Sequence, residues 1–232
     1  VIEGSNLAEC HPVGFQWIME AKARGATVVH VDPRFTRTSA LADLHVPLRA
    51  GTDIAFLGGI VNYVLASEKY FHEYVLNYTN AATIITEDFA DTEDLDGLFS
   101  GFDPEKRSYD VHTWQYEGTE VQGASGERDQ QYEDRAPARE AARGESHGSG
   151  GAHVGTPEND PTLQHPRCVF QILKRHFARY TPEMVEQICG VPPETFGKVC
   201  ELVTENSGRD RTTAFAYSVG WTQHTVGVQY VR

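Results

Sequence analysis

The stretch VVHVDPRFTRTSALADLHVPLRAGTD, residues 28–53, decides the fold. It opens on a short apolar run, Val28, Val29 and Val31, rich in β-branched side chains, and breaks at Asp32-Pro33. A buried strand that ends in an acid and a proline reads as the carboxyl edge of a parallel sheet, where open α/β folds bind nucleotides. A second run, His45-Val46-Pro47-Leu48, ends at Ala50-Gly51-Thr52-Asp53. Two strand ends, each followed by a carboxylate, can converge on one crevice. Two ordinary strand-to-helix turns with Asp as the helix cap would give the same pattern, so that alternative stays open.

Upstream, residues 1–2 read as the end of a strand, and Gly4-Ser5-Asn6 as a loop whose small side chains let backbone amides approach a ligand. A helix is expected over 12–24, with Pro12 in its first turn and Gly25 as its stop. Val13, Trp17 and Ala21 share one of its faces. Strand, Gly-bearing loop, helix and strand make one βαβ unit. Downstream of Asp32, Thr36, Thr38 and Ser39 offer hydroxyls before a short helix through Ala42. A strong helix follows Asp53, with Ile54, Leu57, Val61, Val64 and Leu65 on one face. A second amphipathic helix is expected over 68–76.

The pattern dissolves after Ile85 into an acidic stretch, then into isolated aromatics, Tyr109, Trp114 and Tyr116. Residues 118–161 carry nine acids and four arginines, with Val121, Tyr132 and Val154 as the only large apolar side chains. Such a composition buries too little surface to offset chain entropy, and the segment is expected to be a mobile insertion. Its histidines, His147 and His153, read as solvated. Order returns with a helix face of Val169, Phe170, Leu173 and Phe177. Thr181-Pro182 and Pro192-Pro193 then open two further helices. Residues 212–219 read as a buried strand, followed by the polar loop Gly220-Trp221-Thr222-Gln223 and a helix from near His224. The expected organisation is an α/β cofactor-binding portion over 1–117, the insertion over 118–161, and a helical segment with a returning strand over 162–232. The fold class is α/β: a Rossmann-like parallel sheet flanked by helices, a partial domain of a larger chain.

Net charge is −13, which argues against nonspecific nucleic-acid binding. Arg34, Arg37 and Arg49 nevertheless concentrate positive charge where a phosphate could sit. The four cysteines, Cys10, Cys168, Cys189 and Cys200, lack the close spacing of a zinc or cluster site. No metal ligand and no catalytic residue is assigned. The chain opens on Val1, in mid-element, and is expected to be part of a longer polypeptide.

Four segments in order, GSNLAECHPVGFQW, HVDPRFTRTSALADLHVPLRAGTD, TLQHPRCVFQILKRHFARYTPEMVEQICG and SVGWTQHTVGVQYVR, resemble the major subunit of respiratory formate dehydrogenases in the molybdopterin oxidoreductase (dimethyl sulfoxide reductase-like) superfamily. The resemblance implies a bis(molybdopterin guanine dinucleotide) cofactor holding molybdenum or tungsten. It implies cofactor-binding residues Gly4, Ser5, Asn6, Asp32, Pro33, Arg34, Thr36, Gly51, Thr52, Asp53, Gly220, Trp221, Thr222 and Gln223. It further implies formate as substrate, carbon dioxide as product, and electron transfer through iron–sulfur centres to iron–sulfur and cytochrome subunits. The location implied is periplasmic, with membrane association through those subunits. The family's 4Fe–4S segment, metal-ligating selenocysteine or cysteine and catalytic arginine loop have no match here, so the chain alone is expected to be inactive. Another molybdopterin oxidoreductase, such as a nitrate reductase, and a nucleotide-binding module without redox chemistry are the alternatives.

Overall fold

The structure is a computed structural model that describes residues 1–122 and 152–228. Two compact units divide the chain: residues 1–71 with 174–232, and residues 72–173. Contacts thus draw the boundaries at 71/72 and 173/174, whereas composition suggested 117/118 and 161/162. Most of the expected insertion, residues 123–151, lies outside the described residues, His147 included.

The first unit opens with strand β1 (Ile2–Glu3), helix α1 (Leu7–Cys10) and helix α2 (Pro12–Ala23). Strand β2 (Val29–Val31), helix α3 (Arg37–Leu41), strand β3 (Leu44–Val46) and helix α4 (Asp53–Ala66) follow. Pro12 starts α2 as its fixed φ favours, and Gly25, at φ 99°, takes the left-handed turn that ends it.

The second unit holds α5 (His72–Tyr78), the antiparallel pair β4 (Phe102–Asp103) and β5 (Ser108–Tyr109), and a second antiparallel pair, β6 (Thr119–Gln122) with β7 (Ala152–Gly155). The expected helix over 68–76 therefore begins later, at His72. Phe99, Tyr109 and Trp114 pack ring against ring, which pins this region of short elements. Helix α6 (Val169–Phe177) runs across the boundary back into the first unit.

There, α7 (Pro182–Cys189) is capped by Thr181, whose hydroxyl accepts from the Met184 amide at 3.2 Å, and is ended by left-handed Gly190. Helix α8 (Pro193–Glu205), strand β8 (Ala216–Tyr217) and the single turn α9 (Val219–Thr222) complete the unit. The four strands form one parallel sheet in the order β3-β2-β1-β8. One face packs Val29, Val31 and Val46 against Phe56, Val185, Phe196 and Val199 of α4, α7 and α8. The other packs Ile2 and Val28 against Phe15 of α2.

Several expectations change. Residues 212–219 shrink to a two-residue edge strand with Phe215 and Tyr217 exposed, because β8 has only β1 as a neighbour. The single turn α9 falls in the stretch expected to be a loop, and residues 229–232 of the helix expected from near His224 lie outside the described residues. On α2, Val13 and Trp17 face outward while Phe15 is buried. On α4, Ile54 and Val61 are exposed and Phe56, Gly59 and Ile60 turn inward. A glycine pair explains that rotation. A Cβ on Gly59 would sit 2.7 Å from both Phe196 and Val185, and one on Gly58 would sit 2.9 Å from the Tyr180 ring. The closest helix contact is carried by residues without side chains, which a search for large apolar residues overlooks.

Candidate functional site

Because all four strands run parallel, their carboxyl ends share one edge. The loops leaving β1, β2 and β3, and the turn after β8, line a cleft of about 230 Å³ formed by Gly4, Asp32, Pro33, Leu48, Ala50, Gly51, Asp53, Gly220 and His224. All four loops singled out in the sequence, residues 4–6, 32–34, 51–53 and 220–223, therefore contribute at least one residue. Leu48, Ala50 and His224 were not singled out as site residues. Leu48 and Ala50 are apolar or small and carry no chemical signal, and His224 lies one residue past the loop. A larger apolar groove, lined by residues such as Trp17, Ile18, Leu202 and Val203, brings no ionisable side chain.

Glycine makes the cleft. Gly4 has φ 60°, and its carbonyl accepts the Gly220 amide at 3.2 Å. A Cβ on Gly220 would lie 2.6 Å from the Gly4 oxygen. The first and last loops thus touch backbone to backbone, in a way no side chain permits. Gly51, at φ 81°, turns the chain into α4.

The GSN and DPR loops are tied together by a buried histidine that sequence reasoning passed over. His30 is fully buried, with Nε2 3.2 Å from the Ser5 carbonyl and Nδ1 2.7 Å from Ser39 Oγ. A carbonyl only accepts, so Nε2 carries the proton and Nδ1 accepts from the Ser39 hydroxyl. Ser39 Oγ in turn accepts the Thr36 amide at 2.8 Å. Burial holds the His30 pKa below its ordinary value, with Asp32 opposing. Asn6 is fixed through its side-chain oxygen, which accepts from the Thr38 hydroxyl at 2.9 Å. The repeating apolar pattern of Val28–Val31 hides His30 as one more strand residue.

Other expected residues are placed less directly. Arg49 spends its guanidinium on the Ile188 carbonyl at the end of α7, and Arg37 pairs with Glu9 at 3.4 Å. Arg34 is exposed, and its amide donates to the Asp32 carboxylate at 2.8 Å. Thr52 occupies the N-cap position of α4, but its hydroxyl donates to the Arg49 carbonyl. Ser5, Asn6, Arg34, Thr36, Thr52, Trp221, Thr222 and Gln223 do not line the cleft. Trp221 is buried behind it, stacked on Tyr217 at 4.6 Å.

The electrostatics select the ligand's polarity. The lining holds Asp32, Asp53 and His224, and neither lysine nor arginine. Asp53 is 5% exposed at the first position of α4, one residue past the N-cap. Burial raises its pKa; its own backbone amide, His224 and Glu3 lower it, and Asp32 raises it. Behind it lies Glu3, fully buried, whose pKa is pushed up to about 8 by burial first and by Asp53 second. Neither Glu3 oxygen closes a hydrogen bond of ordinary geometry, and Ser5 Oγ and Trp221 Nε1 are also without partners. A cleft floored by acceptors suits a ligand edge made of donors, such as a purine amide edge or sugar hydroxyls, rather than a phosphate.

No family model matches the chain. It is 46% identical over 233 residues to the formate dehydrogenase-O major subunit of Escherichia coli (strain K12), covering 100% of this chain and 19% of that protein. It is 44% identical over 232 residues to the formate dehydrogenase 2 subunit alpha (cytochrome c-553) of Nitratidesulfovibrio vulgaris, again covering 100% and 19%. The assimilatory nitrate reductase catalytic subunit of Bacillus subtilis is more distant, at 34% identity over 80 residues, 34% of this chain and 11% of that protein. Acetylene hydratase from Pelobacter acetylenicus shares the fold, with a TM-score of 0.50 at 17% identity, over 94% of this chain and 18% of that one. The formate dehydrogenase matches run the whole length of the chain, whereas the nitrate reductase match covers a third of it. By sequence, this chain is similar along its whole length to formate dehydrogenase major subunits, and it spans 19% of the length of those relatives.

Proposed function

We propose that this chain cradles the nucleotide end of a bis(molybdopterin guanine dinucleotide) cofactor in a formate dehydrogenase catalytic subunit. The observation that carries this reading is Asp53, a buried carboxylate opening into a cleft whose walls approach through glycine. An ionised carboxylate only accepts, and guanine's N1–H and N2–H₂ only donate. Asp32, at the mouth after β2, suits ribose hydroxyls. Gly4, Gly51 and Gly220 let the backbone come close, with exposed Arg34 beside Asp32 to meet negative charge.

When bound, the cofactor supplies the molybdenum or tungsten at which the whole enzyme oxidises formate to carbon dioxide, two electrons leaving through 4Fe–4S centres. The residues of this chain bind and orient its nucleotide. Iron–sulfur and cytochrome subunits as partners, and a periplasmic location, belong to the same reading. It rests on identity to formate dehydrogenase major subunits over the entire chain. A nitrate reductase is the second reading, favoured by the shorter match to that class.

Asp53→Asn in the full-length protein is the test. It keeps the size but sets a donor against one of guanine's donors, and should cost about 1–3 kcal/mol of nucleotide binding. Guanine nucleotide released per protein, together with formate-dependent dye reduction, measures it. Asp53 stands one residue past the N-cap, where losing its charge costs the helix only about 0.3–1 kcal/mol, so full nucleotide occupancy in the variant would remove the guanine role.

A further inference from the structure

Glu3 is a buried ionisable group that the reading above leaves without a task. It ends β1, immediately before the loop that meets Gly220. Its carboxyl group is fully buried with both oxygens unpartnered. The groups facing it are the Asp53 carboxylate, the Trp221 indole and, from α7, the Cys189 thiol, whose pKa burial pushes up. Facing Asp53 are Glu3, His224 and Asp32.

We propose that Glu3 is a positioning residue for the nucleotide site, holding a proton that it donates to Asp53 so that Asp53 stays the ionised acceptor. The inference rests on the guanine reading of Asp53. A buried carboxylate without donors is strongly disfavoured as an anion. Of the two acids, Asp53 has what an anion needs: the amino end of a helix, its own amide and His224. Glu3 has one donor beside it, the unpartnered Trp221 N–H. The neutral acid satisfies this chain of groups: the indole donates to the carbonyl oxygen of Glu3, and the Glu3 hydroxyl donates to Asp53. An ionised carboxylate has about four acceptor sites. The Asp53 amide, the Glu3 hydroxyl and guanine's two donors would fill them. The proton on Glu3 thereby couples the Trp221 turn to the Asp53 turn. Above the pH at which the pair releases that proton, around 8, two adjacent anions face each other and Asp53 loses its orienting donor.

The test uses full-length, cofactor-loaded protein. Infrared difference spectra across the region around pH 8 should show a protonated carboxyl band that disappears on titration in wild type and is missing in Glu3→Gln. Nucleotide retention in wild type should fall by roughly tenfold or more across the same region. Glu3→Gln still donates to Asp53 but does not titrate, so its retention should stay high and level with pH. Glu3→Met, of similar size with no donor, should retain poorly at every pH. Absence of the infrared band in wild type overturns the proposal, whatever the variants do. So does a wild-type fall that Glu3→Gln reproduces. If Asp53→Asn loses the nucleotide while Glu3→Gln keeps the wild-type pH profile, this inference fails and the guanine reading stands. If Asp53→Asn retains the nucleotide fully, both fall.

Discussion

At the scale of single residues, the site depends on two contacts that tolerate nothing larger. Gly220→Ala would place a methyl group 2.6 Å from the Gly4 oxygen and 2.7 Å from its Cα. The neighbouring atoms are backbone, so the loops must separate, at about 1–3 kcal/mol, the usual cost of overpacking. Gly197 is the control: nothing lies within 4 Å of its Cβ position inside α8. Gly197→Ala should therefore raise stability by roughly 0.5–1 kcal/mol. Thermal unfolding of the two variants checks both signs. His30 gives a second expectation. Its folded pKa lies below the ordinary value of 6.5, so the unfolded chain takes up protons first as pH falls. The stability that neutral His30 contributes is present above 6.5 and is lost as pH falls through the folded value. His30→Val removes this titration at the cost of unpartnered Ser5 and Ser39 groups. Its unfolding midpoint should be lower at neutral pH yet less sensitive to acid than wild type. Equal acid sensitivity in the two proteins would show that His30 is not the responsible group.

At the scale of elements, the sequence showed what repeats and hid what touches. Strand ends followed by an acid or glycine marked the four loops, and Pro12, Thr181, Pro193 and Gly190 marked helix ends, because capping chemistry is local. The rotation of α4 could not be read in the same way. Ile54, Phe56, Leu57, Ile60, Val61, Val64 and Leu65 leave few sides of that helix without an apolar residue. Its orientation is decided by Gly58 and Gly59 meeting Tyr180, Phe196 and Val185, partners more than a hundred residues away. Gly59→Ala should be destabilising by about 1–3 kcal/mol even though alanine favours helices by up to ~1 kcal/mol. A stabilised Gly59→Ala variant, judged by denaturant midpoint, would mean that α7 and α8 do not pack there. Glu3 was hidden for a related reason: a lone acid at a strand end reads as a solvated rim until the parallel neighbours on both sides enclose it.

At the scale of the whole molecule, the cleft belongs to no single segment. Gly4 and Gly220 stand at opposite ends of the sequence, joined because β1 pairs with β8, Ile2 opposite Ala216. Asp32 and Asp53 arrive from β2 and from the start of α4. Turns that merely cap their own helices would open and close independently, each at its own local free energy. A ligand held by all four must instead stabilise them together, since binding to the folded state alone lowers its free energy as a unit. Hydrogen exchange on full-length protein with and without its cofactor separates the two cases. Loading should slow exchange jointly at residues 4–6, 32–34, 51–53 and 220–224. The second unit, residues 72–122 and 152–173, contributes nothing to the lining and should change little. Gly220→Ala should weaken protection at all four segments, including Asp53, which the new methyl group does not touch. Protection confined to one loop, or loss confined to the mutated one, would mean that the four turns are separate caps and that the sheet edge is not a binding site.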